Sequence, residues 1–474
     1  MSINNKNNSG IVLMLQNIPV LSFNIDEYEY SIYREDLLPF SLKNAFRFSK
    51  ETSSNDELAK IKAHNRDIII DFLSKRVLNI NRENAKKILN AYNFSQSQDS
   101  ITKAKIAITC KAISMIDDYW LNDSNLSLRW EDINIRENSL NEIVAHIALH
   151  GKSFSISGVP HTPELTGQGA YAKAWMRKED GAYLYKKSSK GGIESEIEVM
   201  TSKILDCFDV EHVNYFEDKS EGAFVCVCKN MSSAQYCIVP AEEVFTYCNR
   251  EDINFMNYAL KIDSESIYKM CIVDYLISNR DRHMLNWGFY MNNSTGHLLK
   301  CHPIFDHNNA FDIEFMRDKE GGQSLIFQGK TQKEVAYMAM KKAPLRCIKP
   351  VTRDMFINKE MYESFMHKAV KLGLYKQLKP SFLQKLGIKS FEKYVPCCIY
   401  SRKNANTTKN IDYLIEQDNH QYLNVKKRKN ILINTNAENS IQEQKNLNHN
   451  NLDFQSSINN IKENLDEIED DLEL

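Results

Sequence analysis

The sequence predicts an α+β protein in which a mainly helical N-terminal region precedes a small strand-rich segment and then a larger helical one. Three observations carry this. Glycine is nearly absent before His150, where apolar residues recur at helical spacing. From Gly151 to about residue 230 glycines are frequent and separate short aromatic or β-branched runs, as strands joined by tight turns require. Beyond 240 the helical spacing returns, broken by one hairpin pattern.

In chain order, Ile11 to Phe23 is strand-like. Leu58 to Val77, Arg82 to Ala91 and Ile101 to Met115 are helical, with Ile69, Phe72 and Leu73 forming one apolar stripe and Ile106, Cys110 and Ile113 another. Ala182 to Lys186 and Ala223 to Cys228 read as strands on either side of a helix from Ile193 to Phe208. Ser266 to Ser278 is apolar on several sides, so it should be a buried helix. Trp287 to Met291 and His297 to Cys301 flank Asn292-Asn293-Ser294-Thr295-Gly296, a good turn composition. From about 401 the chain is polar and Asn-rich, as a linker or disordered segment would be. Near its end Phe454, Ile458, Ile461, Leu465, Ile468 and Leu472 form a heptad seam with acidic flanks, suited to self-association or to a partner helix. These shifts divide the chain at 1–150, 151–240, 241–400 and 401–474.

Composition bounds the function classes. The 474 residues are 42% hydrophobic and 26% charged, ordinary for a folded soluble chain. A formal net charge of −2 gives no pull towards nucleic acid or anionic lipid, and Lys426-Lys427-Arg428-Lys429 reads as a solvated charge run rather than a nucleic-acid contact. Eleven cysteines, an odd number without paired ligand spacing, argue for reduced thiols. Ile11 to Leu15 is too short for a signal core, and no apolar run approaches the roughly 20 residues that span a bilayer, so a cytoplasmic protein without a membrane partner is expected. The histidines show no HExxH or clustered spacing, so no zinc site is expected, and there is no GxSxG nucleophile.

The chemistry-bearing segment is Asn279-Arg280-Asp281-Arg282-His283-Met284-Leu285-Asn286. Phosphoryl transfer asks for a carboxylate at the acceptor hydroxyl, oxygen ligands for Mg²⁺ and a lysine on the nucleotide phosphates. Asp281 and Asn286 have the offset of the base and the metal-binding amide in H-R-D-x-x-x-x-N. The hairpin after them returns the chain to its starting end, bringing Asp306 of Pro303-Ile304-Phe305-Asp306-His307 beside Asn286 as a second Mg²⁺ ligand. Upstream, Lys186 ends a strand, and Glu194, Glu196 and Glu198 follow on a helix that could pin its ammonium. Thr166-Gly167-Gln168-Gly169 is too short to be a phosphate loop by itself; its glycines either let backbone N–H groups approach phosphate or simply turn the chain.

Asp274-Tyr275-Leu276-Ile277 running into Asn279-Arg280-Asp281-Arg282-His283, then Asn286 and Pro303-Ile304-Phe305-Asp306, resembles the HipA-like kinases, bacterial serine/threonine protein kinases with a divergent bilobal kinase fold. The resemblance spans roughly residues 150 to 400 and is most specific from Asp281 to Asp306. It implies a small β-rich lobe and a larger helical lobe, ATP and Mg²⁺ as cofactors, and a protein Ser or Thr as acceptor. It implies Asp281 as base, Asn286 and Asp306 as metal ligands, and His283 with Asn286 in the nucleotide site. Thr162 to Trp175 resembles the loop opening the small lobe, which brings in Gly167, Gln168 and Gly169, and Tyr183-Leu184-Tyr185-Lys186 resembles the strand bearing the ATP lysine. Ser195-Glu196 falls where the family places its helix acid, which favours Glu196.

The first 150 residues differ from the short N-terminal domain of the toxin-type members, although Tyr119-Trp120 and Trp130-Glu131-Asp132 resemble segments of long variants. Ser157 and Thr162 lie near the place of the family's autophosphorylation loop. Two other readings share these residues: an aminoglycoside-type small-molecule kinase, which usually carries His where Asn279 stands, and a nucleotide-binding scaffold acting through the tail.

Overall fold

The first strands, apolar throughout in Ile11–Leu15 and mostly so in Ile18–Asn24, pair as a meander. β1 (Ile11–Leu15), β2 (Ile18–Asn24) and β3 (Glu29–Ile32) are antiparallel, and β4 (Tyr119–Asp123) returns to pair with the free edge of β1, giving the order β3-β2-β1-β4. Four of the five β4 residues are buried, which erases the alternation that identifies a strand in sequence. The structure, a computed structural model, describes residues 10–50, 52–156, 162–167, 169–318, 321–377, 394–397 and 410–423. The heptad seam, the basic run at Lys426, Ser157 and Gln168 lie outside them.

Helices α1 (Asn55–Ser74), α2 (Ala85–Ala91), α3 (Ser100–Thr109), α4 (Trp130–Ile133) and α5 (Glu142–His150) accompany this sheet. α1 opens at a capping box in which Ser54 and Glu57 satisfy each other's backbone N–H groups. Leu13, Leu15 and Leu21 of the sheet share a core with Ile69 and Leu73 of α1. Arg76 spans the region, donating to Asp117 at 2.8 Å and to the carbonyls of Ala112 and Tyr119. The N-terminal region is thus helices on a four-stranded sheet.

A second four-stranded sheet follows, order β5-β6-β8-β7, from β5 (Lys173–Lys178), β6 (Gly181–Lys187), β7 (Tyr215–Ser220) and β8 (Ala223–Lys229). Helix α6 (Glu194–Leu205) sits between β6 and β7 in the chain. Lys173 of β5 is paired directly with Lys186 of β6, so both side chains leave the same face.

The larger helical part begins after β9 (Tyr236–Pro240) with α7 (Ala241–Arg250) and α8 (Phe255–Leu276). α8 is kinked at Asp263, and its C-terminal half is the buried helix expected from the sequence. β10 (Gly288–Asn292) and β11 (Leu298–Cys301) form the expected hairpin and join β9 in a three-stranded sheet. Helices α9 (Ile313–Arg317), α10 (Gln332–Lys342) and α11 (Lys359–Lys371) and the short pair β12 (Tyr375–Gln377) and β13 (Tyr394–Pro396) complete it. Ile267, Val273, Val335, Ala339 and Phe365 all join one core. The chain through Ile415 forms one compact unit and Glu416–Leu474 a second. Among the described residues no helix is long and apolar enough to cross a membrane.

Gly288 starts β10 just after Asn286, and a Cβ there would lie 2.2 Å from the Val239 carbonyl oxygen and 2.9 Å from Pro240 Cα. Gly288→Ala must therefore push β10 off β9. Urea denaturation is expected to show a loss of about 1–3 kcal/mol, the usual cost of overpacking.

Candidate active site

The site is built at the end of α8. There the carboxylate of Asp274, 4% exposed, would be costly to bury alone. Arg282, 2% exposed, answers it through Nε and Nη2, at 3.2 and 3.1 Å. The same guanidinium does more. Nη1 donates to the carbonyls of both Asn286 and Phe305 at 2.7 Å, and Nη2 donates to His307 Nδ1 at 3.1 Å. Two carbonyls on one nitrogen make residues 286 and 305 neighbours. Arg282 thereby ties the loop carrying Asp281 and Asn286 to the loop carrying Asp306. Burial and the adjacent Arg282 charge hold His307 far below the usual histidine range, so it stays neutral and its Nδ1 can accept that bond.

Asn279 positions Asp281. Its backbone N–H donates to the Asp274 carbonyl at 2.9 Å, its side-chain amide to Asp274 Oδ1 at 3.0 Å, and its carbonyl accepts from Gln332 Nε2 at 2.6 Å. Its Oδ1 then accepts the Asp281 N–H at 3.1 Å. The Asp281 carboxylate is 36% exposed, with Oδ2 accepting from Asn309 Nδ2 at 2.8 Å. His283 lies beside it, Nε2 3.8 Å from Asp281 Oδ1, with its own ring 47% exposed. Asn286 donates through Nδ2 to the Asp281 carbonyl at 2.9 Å, which commits its nitrogen and leaves the amide oxygen for a ligand.

Lys186 is buried on β6, and its ammonium bridges two carboxylates: Oε1 of Glu198, and Oδ1 of Asp306 at 2.5 Å. The second oxygen of Glu198 accepts the His307 N–H at 2.9 Å, so α6 also grips the Asp306 loop. Burial works against a charged Lys186, but the adjacent Asp306 and Glu198 outweigh it and hold the ammonium well above its usual range. Burial likewise opposes ionisation of Asp306, yet Lys186, with Lys173 and Arg282, holds it below the usual carboxylate range. Asp306 has φ of 59°, the left-handed region, a backbone strain of order 1 kcal/mol that its tethered neighbours sustain.

The acid at Lys186 is Glu198, not the expected Glu196. Residues two apart on a helix point about 200° apart, so only one of these can face β6. Glu198 is fully buried on that face, whereas Glu196 lies on the opposite side and accepts from Ser188 Oγ at 3.0 Å.

The glycine segment is walled by the N-terminal region. Leu78 N–H donates to the Leu165 carbonyl at 2.7 Å and Glu83 N–H to the Ala170 carbonyl at 2.8 Å. Buried Arg82 donates to the carbonyls of Glu164, Gly167 and Lys173. A Cβ at Gly167 would lie 2.8 Å from Arg82 Nη1, so this glycine permits the close approach. Gly169, at φ of 102°, stands against Lys173, where a Cβ would come within 2.5 Å of its Nζ. Lys173 was not anticipated. Burial, reinforced by the positive Arg82, lowers its pKa to about 7. Asn309 was also missed. It accepts from Tyr171 Oη at 3.4 Å while holding Asp281, so the glycine segment and the loop of Asp281 face each other. Adjacent Asn308 and Asn309 carry no sequence signal beyond turn composition; Lys173 could have been found from its register opposite Lys186.

The donor set fits Mg²⁺. One amide oxygen and one carboxylate kept ionised are the hard ligands this cation takes from protein, with waters filling the rest.

No family model matches the chain, and no curated protein matches it. Among solved structures it is similar to the proinflammatory kinase CtkA of Helicobacter pylori, at 14% identity and a TM-score of 0.34, over 44% of this chain and 88% of that one. It is also similar to a chain of the HipA, HipB and operator DNA complex of a Shewanella oneidensis MR-1 toxin–antitoxin system, at 11% identity and a TM-score of 0.40, over 87% of this chain and 96% of that one. Neither likeness is close enough to carry the chemistry, which rests on the residues themselves.

Arg282→Met is expected to lower stability by about 3–5 kcal/mol, because it strands the buried Asp274 carboxylate. Chemical denaturation measures this; the double change Asp274→Asn with Arg282→Met should recover part of the loss.

Proposed function

We propose that the chain is an ATP- and Mg²⁺-dependent kinase whose acceptor is a Ser or Thr hydroxyl of a protein. The observation that carries the reading is Lys186 held between Glu198 and Asp306, with Asp281 and Asn286 on the loop that Arg282 fastens to Asp306. A structural ion pair needs one carboxylate; a lysine held by an α6 glutamate and an aspartate from the opposite part of the fold, next to a second, partly exposed aspartate, suits phosphoryl transfer. The resemblance of residues 274–306 to the HipA-like kinases supports the same reading.

In this mechanism Asn286 and Asp306 would hold the cation, whose positive charge would offset the negative charge developing on the transferring phosphoryl group. Asp281 accepts the proton of the acceptor hydroxyl, its carboxylate aimed by the Asn309 amide and its backbone by Asn279. Lys186 stays charged beside Asp306 and orients a phosphate oxygen. Lys173 contributes a second charge from the neighbouring strand, and Gly169 lets backbone approach that phosphate.

Asp281→Asn is expected to lower phosphate transfer from labelled ATP to protein acceptors, or to the chain itself, by roughly 10²–10⁴-fold while nucleotide binding by calorimetry persists. Unchanged transfer in this variant removes the proposal. Glu198→Gln should lower kcat by about 10²-fold through a misplaced Lys186, whereas Glu196→Gln should remain near wild type.

The pH dependence follows from Lys173. Below about 7 its amine is protonated and attracts the phosphates, and above that it is neutral and does not. The value of kcat/KM for ATP, which reports the free enzyme, is therefore expected to fall as pH rises through this range. Lys173→Arg, whose guanidinium stays charged, should flatten the profile.

A further inference from the structure

Away from these residues, three side chains from two distant parts of the sequence converge at the far end of α5. His146 and His150 are one turn apart on the same helix face, and Glu221 reaches them from the turn between β7 and β8. Their ligand atoms lie within 4.8 Å of one another. His146 Nδ1 is 3.3 Å from Glu221 Oε1, and His150 Nδ1 is 3.8 Å from Oε2. Donors around a tetrahedral cation with bonds of 2.0–2.1 Å are about 3.3 Å apart, so two of the ligands already stand near the required edge length.

Two features distinguish this trio from an ordinary surface ion pair. His146 Nδ1 is buried without a hydrogen-bond partner although Glu221 is near, which is the state of a nitrogen whose lone pair faces a gap between ligands. His150 is oriented from behind, its Nε2 2.8 Å from Ser220 Oγ, and a proton on Nε2 directed at Ser220 leaves the Nδ1 lone pair facing Glu221. That is the outer support that metal-binding histidines use to fix their tautomer. The His150 side chain is 6% exposed, while His146 at 45% and Glu221 at 36% leave an open position for water.

We infer that His146, His150 and Glu221 form a binding site for a divalent transition cation, Zn²⁺ by ligand type, which fastens α5 of the N-terminal region to the β7–β8 turn of the small sheet. Two imidazoles and a carboxylate suit Zn²⁺ far better than Mg²⁺, so the site is chemically separate from the one at Asn286 and Asp306. The expectation of no zinc site overlooked His146 and His150, whose i,i+4 spacing puts both on one helix face, and the third ligand comes from another element. Lys152 has the opposing role. Its Nζ lies 2.5 Å from Glu221 Oε1 and competes with the cation for that carboxylate.

The test uses the full chain, stripped with chelator, reduced, and kept in excess Mg²⁺. Zn²⁺ titrated by calorimetry is expected to bind at one equivalent, with affinity falling at least about tenfold in His146→Ala and in His150→Ala and rising severalfold in Lys152→Ala. Bound Co²⁺ should give a tetrahedral visible spectrum without the thiolate charge-transfer bands that cysteine ligation, for example by exposed Cys397, would produce. Each variant's circular dichroism and ATP binding are compared with the wild type, so that loss of metal is separated from loss of fold. Absence of Zn²⁺ binding, binding that survives both histidine changes, or thiolate bands from Co²⁺ overturns the inference.

Discussion

The contact between Arg282 and Asp274 is the constraint on which the candidate site depends. A carboxylate at the buried end of α8 is tolerable only beside a positive charge, and a buried guanidinium is tolerable only when its donors are filled. Asp274 takes one side of the fork. The remaining donors reach Asn286, Phe305 and His307, which belong to the two loops that carry the candidate cation ligands. The need to satisfy one buried side chain thus fixes the relative placement of Asp281, Asn286 and Asp306. Lysine could not substitute, because an ammonium lacks the planar fork that spans these partners.

The electrostatics of the small sheet complement this. Lys186 and Lys173 stand opposite each other in register, a destabilising arrangement unless negative charge lies between or before them. Glu198 and Asp306 neutralise Lys186, and Lys173 remains the one that burial pushes towards neutrality. A polyanion entering the cleft would relieve that cost. Burial of the Lys173 amine is thus a cost that an anionic group placed beside it would reduce.

Much of this was legible in the sequence, and what was missed has physical reasons. The buried half of α8, the hairpin after Asn286 and the strand ending at Lys186 followed from local periodicity and turn composition, which are short-range properties. β4 escaped because a strand buried on both faces loses its alternation. The choice between Glu196 and Glu198 depends on the rotation of α6 about its axis, which packing against β6 and β8 sets and which the spacing of three alternating glutamates leaves open. Tyr171 and Asn309 acquire meaning only from contacts between segments far apart in the chain, whereas Lys173 needed only the register of one hairpin. Arg282 and Asp274 were visible as part of a motif, but their role as a fastener required the two loops to be seen together.

The glycine segment rests on residues 78–83, which belong to the N-terminal region rather than to the small sheet. This makes the two regions thermodynamic partners. Under the kinase reading proposed above, a nucleotide that bound against the glycine segment would be coupled to any ligand of residues 78–83, and each would change the affinity of the other by the same factor. A region that carries none of the proposed chemistry would in this sense be a second input to it, through the backbone contacts at Leu165, Gly167 and Ala170.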